Sequence, residues 1–171
     1  MKAVNLLVYL GVPWFVQAAD VTFKNQCEYP INVYDNHVHC TLSAGSRESP
    51  VYGCNKTFSS STMYRHQENP QATLTEFSTD SSKAWYDINI IPTGSPADCM
   101  SLGECKKVIN TTGFNVPVMI LPTVHLNAEG YRCHQIMCQY DGCEDAYQFP
   151  KDDIKVHDCP LDESFQVIYC P

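Results

Sequence analysis

Tyr86-Asp87-Ile88-Asn89-Ile90 alternates apolar and polar side chains over five residues, and the apolar ones are aromatic or β-branched. A period of two is that of an extended strand with one face buried. The same reading extends outward to Val21-Thr22-Phe23, Ile31-Asn32-Val33, Leu74 to Phe77 and Phe165-Gln166-Val167-Ile168-Tyr169. Val116 to Leu121 is a further strand, interrupted by Pro117, which predicts an edge strand or a bulge. No stretch longer than ten residues carries a 3.6-residue period. Eleven prolines and eight glycines punctuate the gaps between short runs. The expected class is mainly β, a sandwich or barrel of short strands. Ser59 to Gln71, polar and serine-rich, reads as a loop. Residues 92–113 read as a stapled excursion between strands, and residues 133–159 as a small cross-linked lobe.

The chain has 171 residues and ten cysteines, at 27, 40, 54, 99, 105, 133, 138, 143, 159 and 170. Residues 1–18 read as a secretory signal: Lys2 gives the positive end, Leu6 to Val16 the apolar run, and Val16-Gln17-Ala18 a small-x-small cleavage site. An exported chain with an even cysteine count is expected to hold five disulfides and no free thiol. Residues 19–171 then form a single domain. The sequons Asn55-Lys56-Thr57 and Asn110-Thr111-Thr112 are candidate glycosylation sites on surface loops.

The formal net charge is −8. A field of that sign disfavours nucleic acid and anionic membrane as partners and tolerates neutral polysaccharide. No run of eighteen apolar residues follows the signal, so no membrane span is expected.

Several separated motifs resemble the thaumatin-like (osmotin-like) family. They are Val21-Thr22-Phe23 with Cys27 and Tyr29, Leu74-Thr75-Glu76-Phe77, Trp85-Tyr86-Asp87-Ile88-Asn89, Gly113-Phe114-Asn115-Val116-Pro117 and Leu121-Pro122-Thr123. The longest is Cys143-Glu144-Asp145-Ala146-Tyr147-Gln148-Phe149-Pro150-Lys151-Asp152-Asp153, followed by Cys159-Pro160 and Tyr169-Cys170-Pro171. These occur in family order across residues 19–171 and resemble the short, ten-cysteine type. The resemblance implies a flattened β-sandwich with a small disulfide-rich lobe at about 133–159. It implies the pairs Cys27–Cys170, Cys133–Cys159, Cys138–Cys143 and Cys99–Cys105, which leaves Cys40 with Cys54. The Cys99/Cys105 segment follows the Glu76 and Asp87 strands, whereas its counterpart in the family precedes them, so it reads as an insertion.

The resemblance also implies an acidic cleft between sandwich and lobe that binds β-1,3-glucan or a related cell-wall polysaccharide. Glu76 and Asp87 match two of its acids. A further acid falls at Asp145 or Asp152, the sequence not deciding between them. Thr112 stands where another aspartate is usual, and Arg47 is the sole candidate for the arginine. Carboxylates accept hydrogen bonds from sugar hydroxyls, and a suitably spaced pair cleaves glycosidic bonds, so Glu76 and Asp87 are also the catalytic candidates of a weak endo-β-1,3-glucanase. A non-enzymatic secreted effector or adhesin on the same scaffold is the other alternative. Residues 92–113, with a glycan on Asn110, are expected to overhang the cleft. Trp85, Tyr86, Tyr131 and Tyr147 are candidates for stacking on sugar rings or for the core. His37-Val38-His39 places two imidazoles on one face if extended. With Cys40 committed to a bridge, neither a metal nor a cofactor is expected there. His66, His125, His134 and His157 are scattered. The expectation is a secreted, extracellular, monomeric protein, leaning away from enzymatic function, whose partner is a wall polysaccharide or an extracellular protein.

Overall fold

The computed structural model describes residues 19–45 and 54–171. Residues 1–18, expected to be a signal, and Arg47 lie outside the described residues. In chain order the strands are β1 (Ala19–Asn25), β2 (Ile31–Tyr34), β3 (Val38–Leu42), β4 (Lys56–Phe58), β5 (Thr62–His66), β6 (Leu74–Thr79) and β7 (Lys83–Asn89). An α-helix, α1 (Leu102–Ile109), intervenes before β8 (Val118–Pro122), β9 (Ile136–Cys138), β10 (Ala146–Tyr147), β11 (His157–Pro160) and β12 (Ser164–Tyr169).

The strands form two sheets, ordered β4-β1-β12-β8-β9 and β10-β7-β6-β5-β2-β3. First and last strands run parallel side by side, Val21 opposite Phe165 and Phe23 opposite Val167. On the far edge of β7, β11 pairs with its first half and β10 with its second. The period-two reading is realised in β7, where Ala84, Tyr86 and Ile88 are buried while Trp85, Asp87 and Asn89 face the other way. Phe23 and Phe165 from one sheet meet Tyr64, Phe77 and Tyr86 from the other. Ring centroids lie 4.8 Å apart for Phe23–Tyr64, 5.3 Å for Phe77–Phe165 and 5.0 Å for Tyr86–Phe165. Such offset aromatic contacts stabilise a core beyond their area burial.

All ten cysteines are paired as expected: Cys27–Cys170, Cys40–Cys54, Cys99–Cys105, Cys133–Cys159 and Cys138–Cys143. Three local readings are corrected. The stretch 59–71 is not all loop, because Thr62–His66 is a strand paired to both β2 and β6. Pro117 does not mark an edge, because β8 starts one residue later and lies between β12 and β9. The excursion 92–113 contains a helix: Ser101 caps α1 by accepting from the Glu104 N–H at 3.2 Å, and the Glu104 carboxylate accepts from the Met100 N–H at 2.9 Å. Gly113 follows, where a Cβ would stand 2.5 Å from the carbonyl oxygen of Ile90, so only glycine lets the chain pass.

Candidate functional site

Glu76 on β6 and Asp87 on β7 are direct antiparallel partners. Both point away from the core, because Thr75 and Phe77 on one strand and Tyr86 and Ile88 on the other point into it. Their face of the sheet is covered in part by the turn after β10. The result is a cleft of about 460 Å³ lined by Ser61, Thr62, Glu76, Phe77, Ser78, Trp85, Asp87, Asn89, Ile91, Tyr147 and Pro150. The sandwich supplies one wall, and Tyr147 and Pro150 of the cross-linked lobe supply the other.

The two carboxyls are not equivalent. Glu76 Oε2 accepts from Asn89 Nδ2 at 2.8 Å. Asp87 Oδ1 is shut off from solvent and has no hydrogen-bond partner among the described residues. Burial, then the neighbouring Glu76 charge, pushes the Asp87 carboxyl up to about 8. An adjacent pair of carboxylates cannot readily both ionise, and once Asp87 holds the proton it can donate it to Glu76. Near neutral pH the cleft therefore offers an acid hydroxyl beside a carboxylate, a donor next to an acceptor.

Trp85 is held at the rim. Its Nε1 donates to Asp80 Oδ2 at 2.8 Å. Asp80 Oδ1 in turn accepts from the Ser82 N–H, the Lys83 N–H and the Ser82 hydroxyl. These bonds, the Ser82 N–H foremost, hold the Asp80 carboxyl down to about 2, so it stays ionised and the β6–β7 turn stays closed. Across the cleft, Tyr147 donates its hydroxyl to Asp153 Oδ1 at 3.0 Å.

The other sequence candidates fall elsewhere. Asp145 is exposed, accepts from the Met137 N–H at 2.9 Å, and lines a separate depression with Tyr140 and Glu144. Asp152 is buried and accepts from the Gln148 N–H at 3.3 Å, ordering the turn behind Tyr147 rather than lining the cleft. Tyr86 belongs to the core, and its hydroxyl donates to the His134 carbonyl at 2.6 Å. Tyr131 lies partly exposed, with the Lys83 ammonium 5.4 Å from its ring centroid. Asn55 and Asn110 are both exposed, Asn110 in the left-handed conformation that ends α1. No residue of 92–113 lines the cleft, against the expected overhang. Instead α1 leans on the loop after β9, where Lys106 pairs with Asp141 and Leu102 meets Gly142.

Asn89 and Asp80 were not singled out by sequence. Asn89 lies in the decisive strand itself, two residues from Asp87 on the same face. Asp80 begins a Thr79-Asp80-Ser81-Ser82 turn, whose side chain–backbone bonding is a recognisable signal. Ser61 and Thr62 were hidden by reading their segment as a loop.

No protein-family model matches the chain. A thaumatin-like protein from Oryza sativa subsp. japonica is 28% identical over 102 residues, covering 58% of this chain. The match spans 40% of that relative's length. Among solved structures, the protein elicitor MoHrip2 from Magnaporthe oryzae superposes with a TM-score of 0.52 at 17% identity, over 90% of this chain and all of the other. The thaumatin-like xylanase inhibitor TLXI gives a TM-score of 0.46 at 17% identity, with the same coverage.

Proposed function

With the resemblance to thaumatin-like proteins upheld in sequence and in fold, we propose that this chain is secreted and binds β-1,3-glucan or a related wall polysaccharide in the cleft of Glu76 and Asp87. The observation that carries the reading is the carboxyl pair. Its ionised and protonated members can accept from one sugar hydroxyl and donate to the next, between Trp85 and Tyr147, whose rings suit the apolar faces of a sugar. Retaining an unneutralised pair of acids costs stability, which is a property of functional sites.

A second reading, weak endo-β-1,3-glucanase activity, draws on the raised Asp87, since an acid catalyst must keep its proton near neutral pH. Binding is favoured over cleavage because Glu76 and Asp87 are cross-strand neighbours on one wall, whereas the carboxyls of a glycosidase flank the scissile bond.

The test is retention on insoluble β-1,3-glucan at low salt, with Glu76→Gln as the paired variant. Retention lost in Glu76→Gln supports the cleft. No retention of the unmodified protein sinks glucan binding and leaves an effector or adhesin on this scaffold. Reducing-sugar release from laminarin that disappears in Glu76→Gln would establish the enzyme instead.

A further inference from the structure

The turn between β2 and β3 gathers three metal-ligating side chains that the proposed cleft does not use. Asp35, His37 and His39 each present one ligand atom, and these lie within 4.8 Å of one another. The sequence supplied two imidazoles; the fold supplies the third ligand. Asn36 takes a left-handed conformation with φ 79°, which asparagine tolerates, and the Asp35 N–H closes the turn on the His37 carbonyl at 3.2 Å. The ladder then shifts: Val33 pairs with Cys40 but Tyr34 with Val38, leaving His39 as the extra residue of a bulge. Bulges re-aim side chains, and they recur beside functional sites.

The cluster is held together by Asp35, which sits between the two imidazoles. Asp35 Oδ1 lies 2.5 Å from His39 Nε2 and 3.4 Å from His37 Nδ1. Asp35 Oδ1 and His39 Nε2 are both shut off from solvent and have each other as ionic partner. The His39 side chain is only 10% exposed. Tetrahedral zinc with ligands at about 2.0–2.2 Å sets its donor atoms roughly 3.3 Å apart, close to the longer of those spacings, while the shorter must open by a turn of the Asp35 carboxylate, 22% exposed. His37, 70% exposed, is free to adjust. The depression beside Asp35 and Asn36 also borders Glu76, whose acidic neighbourhood favours a cation.

We propose that Asp35, His37 and His39 form a binding site for a divalent late transition metal, with Zn²⁺ the ion that this two-nitrogen, one-oxygen donor set suits. Three protein ligands leave a coordination position for water or another donor. Softer copper(I) would want thiolate or thioether, and calcium more oxygens. The site neighbours the cleft through Glu76, but metal binding there does not depend on glucan.

The test is calorimetric titration of Zn²⁺ alone into chelator-treated, desalted protein. A single saturable site is expected. It should weaken at least about tenfold in Asp35→Asn and in His37→Gln, since loss of even an outer-shell partner costs 10–100-fold. The His125→Gln variant removes an imidazole paired with Asp162 at 2.9 Å on another surface, and it should bind as the unmodified protein does. His37 is exposed enough that its variant folds even if Asp35→Asn does not. Absence of saturable binding overturns the proposal, as does an affinity unchanged in His37→Gln. Loss of affinity in His125→Gln alone overturns it equally, by assigning the metal to a different histidine.

Discussion

Nδ2 of Asn89 lies 2.8 Å from Oε2 of Glu76, and Oδ1 of the same Asn89 accepts the Ile91 N–H at 2.8 Å. The backbone bond fixes which way the amide faces, so its NH₂ must point at Glu76. The proton of the pair falls to Asp87, which burial favours in its neutral form. Replacing Asn89 by Asp removes the donor and adds a third acid. The expected outcome is a changed Asp87 titration by carboxyl NMR, with weaker glucan retention.

Glu76→Gln removes the like charge beside Asp87. The Asp87 carboxyl should then titrate lower, with only burial left to raise it. Carboxyl NMR across pH 4–9 measures this directly. A titration unchanged from that of the unmodified protein would show that Glu76 does not act on Asp87.

Asp87→Asn should stabilise the protein at neutral pH. Asp87 is held up to about 8 in the folded chain and ionises near its ordinary 3.8 when unfolded. Between those values the unfolded state binds fewer protons, so folding stability falls as pH rises from about 4 to about 8. The amide removes that loss. A gain of at least about 1 kcal/mol at pH 8, a few degrees in Tm, is expected from thermal melts, with glucan retention reduced. Equal melting of the two proteins at pH 8 would refute the buried-acid assignment.

His157 works in the opposite sense. Burial holds its imidazole down to about 4, against 6.5 when free, while it packs edge-on to His134 at 4.6 Å. The unfolded chain therefore binds the extra proton first, and stability is lost as pH falls from 6.5 toward 4. His157→Gln should flatten this acid limb in melts between pH 7 and pH 4. The two slopes cancel between about pH 4 and 6.5, so together they predict a flat profile there and a decline from 6.5 to about 8.

Asp80→Ala should disorder Trp85 without unfolding the sheet. The chain's other tryptophan is Trp14, so emission from a protein of residues 19–171 reports Trp85 alone. The variant is expected to show red-shifted emission and weaker glucan retention while its circular dichroism stays the same. Unshifted emission would mean that Asp80 does not position the ring.

The sandwich was legible because its strands alternate strongly and its sequence motifs are long. Tyr86-Asp87-Ile88-Asn89-Ile90 gave both the buried face and the site face of β7 from period alone. β5 escaped notice because its inward residues include His66, a buried polar side chain that accepts from the Asn32 N–H at 3.2 Å, so the strand lacks an apolar stripe. α1 escaped because eight residues with two buried side chains, Leu102 and Cys105, carry too little periodicity. The pairing of Glu76 with Asp87 depends on register, which a sequence does not display. The choice between Asp145 and Asp152 was not legible either: one is exposed and accepts from the Met137 N–H, and the other is buried and accepts from the Gln148 N–H, contacts that depend on how the lobe folds.

The bond between Cys27 and Cys170 also makes the chain between them a covalently closed ring. A protease cutting once anywhere from residue 28 to 169 opens a loop but releases no piece, because both new ends remain attached through that sulfur link. Four smaller rings lie inside the large one, so even a second cut frees a fragment only where no other bridge spans the two breaks. A nicked molecule therefore runs as intact on a non-reducing gel and falls apart only when thiol is added, and a digested surroundings would accumulate this protein in nicked but assembled form.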